Sequence, residues 1–206
     1  MKLLSFIFLI CLCSLAAHAQ QTQEFYPNKA LKAEGMLEDG KKTGFWKTLY
    51  PDGKPNADEV YANGKLNGAC RYYDFDGQVQ AEEKWVNGLL EDTARYFWPG
   101  YVLHKKGFFE HGLMQGKWVF FSKDGKRVRA GNYLDNEPDG KWTYWHQKGY
   151  VAMIAEYTRG KDTGFWQYFY PNGKVESEGN FLDAKQVGKW KFYKKNGSLK
   201  REYTFE

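Results

Sequence analysis

The amino-acid sequence predicts an all-β protein: one elongated antiparallel sheet of stacked β-hairpins. The first observation is a series of glycines 24 residues apart: Gly44, Gly68, Gly116, Gly140, Gly164 and Gly188. The second is that no stretch between turn residues is much longer than a strand, and none shows the apolar spacing of a helix. The third is an aromatic content of 18%, which is typical of strands. A repeat of this length is one supersecondary unit that buries its apolar face on its neighbours.

The first 19 residues resemble a signal peptide. Lys2 supplies a basic start, Leu3 to Leu15 form an apolar run, and residues 17–19 (AHA) have the small residues of a cleavage site. The run is too short to span a bilayer, although an uncleaved anchor is the alternative. We therefore expect export, cleavage after Ala19, and a periplasmic, cell-envelope or secreted location.

Residues 20–206 are predicted to form a single repeat domain with units that start near residues 20, 44, 68, 92, 116, 140, 164 and 188. Most units carry an Asp-Gly or Asn-Gly dipeptide, such as Asp52-Gly53, about nine residues after their start. These dipeptides accept positive φ at both central positions of a type I′ turn. Each unit is therefore expected to be a hairpin with a two-residue loop.

A two-residue loop determines which residues of the two strands lie opposite each other. At residues 52–53 it pairs Lys47 with Asp58, and the same geometry pairs Arg71 with Glu82 and Lys191 with Glu202. Opposite charges thus meet in three hairpins. One position along, the register pairs tryptophans with small residues: Trp118 with Gly131, Trp142 with Ala155 and Trp166 with Gly179. We interpret this as a ring that covers a weak strand glycine.

The unit that starts near residue 92 departs from this register. The regular pairing would set Arg95 against Lys106, two like charges, but the turn glycine comes one residue early, at Gly100. We therefore expect a shifted register that sets Arg95 opposite His104, with a bulge in the second strand.

The buried face of the sheet stays open at this point, because aromatic residues occur at strand positions of both parities. Cys70 is the one cysteine after the leader and occupies the position that is Trp46 or Trp118 in other units. It is therefore predicted to be a buried structural thiol. A disulfide within the mature chain is excluded, so stability must come from packing along the array.

The segments 44–53 (GFWKTLYPDG) and 164–173 (GFWQYFYPNG) resemble the MORN repeat (membrane occupation and recognition nexus). They are most similar to the variant found in bacterial exported and antitoxin-labelled proteins. The resemblance covers residues from about 33 to 206 and is weakest in the unit that has Asp92 and Ala94 in place of Gly and Trp. It implies an elongated sheet of hairpins and a role in protein or membrane association without chemistry of its own.

The chain is not expected to be an enzyme or to bind a cofactor. His104, His111 and His146 occupy unrelated positions in their units and lack ligands at metal-binding spacing. The glycines mark turns and do not form a phosphate-binding loop. The formal net charge is +5 and the charges are interspersed, which argues against a nucleic-acid partner. A weak attraction to an anionic membrane surface stays open.

The leading hypothesis is a non-enzymatic exported scaffold that binds an unknown protein partner in the cell envelope. A glycan- or cell-wall-binding module is the alternative, and an immunity or antitoxin-type protein is a second alternative. Candidate partner-binding residues are Trp98 and Tyr101 beside the irregular turn, where rings displaced from the packed rows would be exposed. The competing interpretation is that these rings fold back over the gap left by Ala94.

Overall fold

The computed structural model describes residues 19–206, so the predicted leader lies outside the described residues except for Ala19. These residues form one sheet of 18 strands. Successive strands pair antiparallel along the chain, as in β1–β2, β2–β3 and β3–β4. The predicted all-β architecture of stacked hairpins is confirmed. No helix in the described part of the chain is long and apolar enough to cross a membrane.

The strands have the following bounds: β1 (Gln20–Phe25), β2 (Leu31–Glu38), β3 (Lys41–Leu49), β4 (Pro55–Ala62), β5 (Lys65–Leu66), β6 (Gly68–Tyr73), β7 (Val79–Val86), β8 (Leu89–Leu90), β9 (Asp92–Trp98), β10 (Val102–Glu110), β11 (Leu113–Phe121), β12 (Arg127–Leu134), β13 (Glu137–Trp145), β14 (Val151–Thr158), β15 (Lys161–Phe169), β16 (Val175–Leu182), β17 (Lys185–Tyr193) and β18 (Leu199–Phe205).

The turn within each unit is not the predicted two-residue type I′ turn. In the hairpin of β3 and β4, the Tyr50 amide donates to the Lys54 carbonyl at 2.8 Å across a three-residue loop, 51–53. Gly53 has a φ of 86°, and the two residues before it do not have positive φ. This is a type I turn followed by a left-handed glycine, the usual three-residue hairpin loop.

Type I′ geometry occurs instead between units. Asp39 and Gly40 have φ values of 49° and 72°, and they connect the paired residues Glu38 and Lys41. The predicted type I′ turn therefore occurs in this fold, but it lies between units and not within them. The dipeptides that begin with Asp or Asn serve equally well in a type I turn, where the glycine supplies only the last residue.

The predicted pairs are nevertheless confirmed, because a bulge compensates for the longer loop. Asn56 is left unpaired in β4, so the register moves back by one residue and sets Lys47 opposite Asp58. The same register places Arg71 opposite Glu82 and Lys191 opposite Glu202. One extra loop residue and one bulged residue together give the pairing of a two-residue loop.

The register shift expected in the unit near residue 92 is wrong. Arg95 lies opposite Lys106, and the predicted second-strand bulge is present at His104, as in the other hairpins. Tyr101, with a φ of 60°, adopts the left-handed conformation that glycine has in the other turns. The early Gly100 therefore changes the turn without changing the loop length.

A bulge that sets three residues against one, called here the wide bulge, positions the buried tryptophans at the start of β3, β11, β13, β15 and β17. In β2 and β3, Gly35 alone faces the three residues 44–46, and Gly44 has a left-handed φ of 65°. Trp46 is 0% exposed, and its Nε1 donates to the Met36 carbonyl at 3.0 Å. A Cβ atom on Gly35 would lie 2.3 Å from the indole ring. The ring therefore lies directly over the glycine backbone.

The same packing recurs along the sheet, with the ring over the glycine of the preceding unit: Trp118 over Gly107, Trp142 over Gly131 and Trp190 over Gly179. The expected opposite pairs are confirmed for Trp118 with Gly131, Trp142 with Ala155 and Trp166 with Gly179. However, the small residue under each of these rings belongs to the hairpin before it, because the wide bulge turns the side chain that way: Gly107 for Trp118, Gly131 for Trp142 and Ala155 for Trp166. Each tryptophan therefore joins two hairpins.

The two faces of the sheet differ in composition. This difference identifies the buried face, which the alternation of side chains along the strands did not. The buried tryptophan face carries Trp46, Trp118, Trp142, Trp166 and Trp190. The opposite face, called here the charged face, carries a row of side chains that are paired from strand to strand: Glu34, Lys47, Asp58, Arg71, Glu82, Arg95 and Lys106.

Candidate functional site

Two consecutive junctions between units lack the tryptophan–glycine pair. In each, a large residue stands in place of the glycine and a small residue stands in place of the tryptophan. Glu59 and Cys70 occupy the positions of the glycine and the tryptophan where the units starting near 44 and 68 meet, and Glu83 and Ala94 occupy them at the next junction. Cys70 is buried, as predicted, and burial raises the pKa of its thiol. Neither Cys70 nor Ala94 fills the volume of an indole. Both positions are nevertheless buried, with Cys70 4% and Ala94 2% exposed, so neighbouring side chains cover them.

Beside these two positions the tryptophan face carries a cleft of about 700 Å³, which neither Cys70 nor Ala94 lines. Its size is within the range of ligand-binding sites. We call it the aromatic cleft and define it by its principal lining residues: Tyr72, Glu83, Trp85, Tyr96, Trp98 and Lys105. The four rings come from β6, β7 and β9. Strand pairing holds these elements, so the cleft is built on a rigid part of the fold.

Several polar groups line the aromatic cleft, and burial shifts the pKa of two of them, Tyr96 and Lys105. Trp85 Nε1 donates to Glu83 Oε2 at 3.2 Å. Lys105 Nζ lies 4.3 Å from the centroid of the Tyr96 ring, and burial lowers the pKa of Lys105. Burial, followed by the neighbouring Glu83 carboxylate, raises the pKa of Tyr96. The Tyr96 hydroxyl therefore remains a hydrogen-bond donor at neutral pH.

These groups suit a ligand with apolar and polar parts. Aromatic side chains contribute large contact areas, while the Glu83 carboxylate accepts hydrogen bonds and the Lys105 ammonium donates them. The desolvated ammonium beside the Tyr96 ring is held by a cation–π contact. The arrangement can recognise a segment that combines an apolar side chain with main-chain or hydroxyl polar groups.

Trp98 lines the aromatic cleft but is not displaced from the regular packing. Its Nε1 donates to the Phe121 carbonyl at 3.1 Å, and its ring lies 3.9 Å from the His104 ring. Tyr50 and Tyr170 make the equivalent bond to the carbonyl 23 residues later. The Trp98 side chain therefore belongs to a row of hydrogen-bond donors along the turns. From the sequence we expected it to be displaced from the regular packing, and it is not.

Tyr101 lies apart from Trp98 in the structure. Its side chain is 55% exposed and stacks on Phe97, with ring centroids 4.4 Å apart and an interplanar angle of 10°. It is not among the residues that line the aromatic cleft. Of the two candidate residues from the sequence, only Trp98 belongs to the site described here.

Sequence reasoning missed five cleft residues: Tyr72, Glu83, Trp85, Tyr96 and Lys105. A usable signal was present in the chain. On the 24-residue series, the glycine and tryptophan positions change together, to Glu59 with Cys70 and to Glu83 with Ala94. Paired replacements of this kind in neighbouring units indicate a local change of packing.

Replacement of Trp98 by alanine is expected to lower the free energy of unfolding by about 2 kcal/mol, because a half-buried ring and a hydrogen bond to Phe121 are lost. Trp98→Tyr provides the matched control, since tyrosine occupies this position in other units, and should lower it by less than about 1 kcal/mol. Urea unfolding of both variants measures the difference. Equal stability of Trp98→Ala and the unchanged protein would contradict the role in the row of donors.

The histidines do not converge on a common centre. His104 packs on Trp98, His111 lies 3.9 Å from Glu91, and His146 Nε2 lies 3.4 Å from the Phe169 carbonyl. Across residues 19–206, no group of three or more His, Cys, Asp or Glu side chains is placed to hold a metal ion.

Comparison with protein families gives one match. The model described as "MORN repeat variant" matches residues 66–87, 163–183 and 186–206. The last two segments cover most of the hairpins of β15 with β16 and of β17 with β18. The family matches therefore follow the hairpin units of the sheet. No curated protein matches the chain.

Three solved structures show weak similarity. The GtfA/B complex bound to UDP and GlcNAc has 16% identity and a TM-score of 0.24, and the match covers 55% of this chain and 23% of that one. TcdB2-TccC3-Cdc42 has 11% identity and a TM-score of 0.20, with 89% and 13% covered. TcdB2-TccC3 has 11% identity and a TM-score of 0.18, with 84% and 14% covered. The chain spans less than a quarter of each of them, and these scores carry no argument about function.

Proposed function

Because this chain carries repeats of the MORN variant, a family generally associated with protein- and membrane-binding scaffolds, we propose that it is a non-catalytic scaffold that binds a protein segment in its aromatic cleft. The observation that carries the proposal is the aromatic cleft itself, an opening of about 700 Å³ on the tryptophan face with four rings among its principal lining residues. A repeat array gains nothing in packing from an open cleft. A binding site explains why aromatic side chains from three strands surround it.

The chemistry of the aromatic cleft favours a peptide over a sugar. Its charged groups, Glu83 and Lys105, can meet the opposite charges or the main-chain groups of a peptide. Its Trp98 ring packs on the His104 ring, and its Tyr96 ring contacts the Lys105 side chain. Glycan binding is the alternative, and the experiment below distinguishes the two.

We further propose that the scaffold acts in the cell envelope or outside the cell. The support for this is the N-terminal sequence, with its basic start, apolar run and small residues at positions 17 and 19. An immunity or antitoxin-type role in that compartment is one form that protein binding could take.

The test introduces a photo-crosslinking amino acid at Tyr96, identifies the crosslinked protein in native envelopes, and then measures its affinity for purified variants. Tyr96→Ala is expected to weaken binding about tenfold or more, as truncation of an aromatic hot spot does. Tyr168→Ala is the matched control, because Tyr168 has the equivalent position in a unit that retains its tryptophan, Trp166. Its affinity should be unchanged under conditions where both variants are folded.

Two results would contradict the proposal. Equal loss of binding in Tyr96→Ala and Tyr168→Ala would place the partner elsewhere or indicate general destabilisation. Saturable binding on a glycan array, abolished by Tyr96→Ala in the absence of any protein partner, would establish the glycan alternative.

A further inference from the structure

On the side of the sheet opposite the aromatic cleft, we infer a second binding site, for an acidic peptide segment, centred on Lys106 and Arg127. The row of the charged face alternates in sign from Glu34 to Arg95, and neighbours of opposite charge make contacts such as Arg71–Glu82 at 3.0 Å and Arg95–Glu82 at 3.5 Å. At the next strand the alternation breaks.

Lys106 lies directly opposite Arg95, where like charges on neighbouring strands destabilise a sheet. The position of Lys106 is acidic in five other units: Glu34, Asp58, Glu82, Glu178 and Glu202. The next two positions of the row are Val119 and Ala130, which supply no carboxylate. The fold alone gives no reason for a cation at position 106.

A shallow depression lies beside this break. Its two adjoining parts share Lys117, Val119 and Arg127 as lining residues, and the larger part has a volume of about 630 Å³. Its floor is apolar, with Val119 and Phe108, and its margin carries the basic residues Arg95, Lys106, Lys117, Arg127 and Lys141. No carboxylate lines either part.

Most of these cations have no acidic partner in the protein. Among the residues that the structure describes, Lys106, Lys117 and Arg127 form no ion pair, and Arg95 shares Glu82 with Arg71. An apolar floor between unpaired cations complements a segment in which acidic residues flank an aliphatic or aromatic one. A flat membrane surface does not enter a concavity of this kind, so the shape favours a peptide over lipid headgroups.

The probe is a fluorescein-labelled peptide of repeating Glu-Val-Glu-Leu, and its binding is followed by fluorescence anisotropy. We expect saturable binding that weakens with added salt, since the contacts are exposed and screened. The variant K106E/R127E should weaken it about tenfold or more. K200E, which makes a charge reversal at an exposed lysine of β18, is the control and should leave it within about twofold.

A second measurement separates binding from folding. Lys106→Glu alone restores the alternation with Arg95, so its melting temperature should rise by about 1–3 °C while peptide affinity falls. Tyr96→Ala in the aromatic cleft should leave the affinity for this peptide unchanged. This result would distinguish the site at Lys106 and Arg127 from the proposed binding site in the aromatic cleft. The inference is overturned if the peptide does not bind, if K200E weakens it as much as K106E/R127E, or if the protein binds vesicles of phosphatidylglycerol and not the peptide.

Discussion

Replacement of Trp142 by alanine is expected to lower the free energy of unfolding by about 3–5 kcal/mol, the range for truncation of a fully buried tryptophan. Trp142 is 1% exposed, packs between Tyr133 and Tyr157 with edge contacts at 5.1 Å and 6.3 Å, and donates to the Asn132 carbonyl at 3.0 Å. Its loss leaves a cavity between two hairpins. Urea unfolding, followed by tyrosine fluorescence and circular dichroism, measures the change.

Trp145→Ala in the same strand is the control for this prediction. Trp145 lies at the end of β13 and is only partly buried, so its truncation should lower the free energy of unfolding by no more than about 2 kcal/mol. Similar losses in the two variants would show that the buried tryptophans do not dominate the stability of the array.

Replacement of Gly131 by valine is expected to lower the free energy of unfolding by about 3 kcal/mol. A Cβ atom at this position would lie 2.1 Å from the Trp142 ring, so either the ring or the strand must move, and overpacking of this kind is destabilising. The neighbouring Ala130→Val is the control, because residue 130 lies on the charged face and should change the stability by less than about 0.5 kcal/mol.

The effects of the substitutions at Gly131 and Trp142 are expected to be strongly coupled. Once Trp142 is absent, the valine occupies part of the space that the ring has left. The double variant Gly131→Val, Trp142→Ala should therefore be no less stable than Trp142→Ala alone, which is a coupling of about 3 kcal/mol in a double-mutant cycle. Additive losses would mean that the ring and the glycine are not in the contact described above.

The sequence predicts the architecture of this protein well because the period and the turn residues are local signals. The pairing of Lys47 with Asp58 follows from them even though the loop is three residues long, since the bulge at Asn56 restores the register. The loop itself was mispredicted because Asp-Gly is compatible with two turn types, and only the backbone angles separate them.

The site could be predicted far less well. The irregular turn drew attention to Trp98 and Tyr101, but Tyr101 accepts a left-handed conformation at φ 60° and the register does not change. The aromatic cleft depends on contacts between units, since its lining residues come from strands of neighbouring hairpins. The buried tryptophans show the same dependence, because the ring of one hairpin covers the small residue of the hairpin before it. A side-chain direction set by a wide bulge cannot be read from strand alternation, which is why the rings were assigned to the glycines opposite them.

The tryptophan over the preceding glycine also gives the repeats a direction, so that they are not freely interchangeable modules. Excision of residues 140–163 would bring Gly131 to Trp166, a junction of the kind that already exists. Excision of residues 92–115 would bring the Glu83 carboxylate beneath the Trp118 indole, and the junction would not close. Duplication and loss of units during evolution are therefore restricted by a rule of adjacency: a unit that begins with a tryptophan can follow only a unit that ends with a small residue.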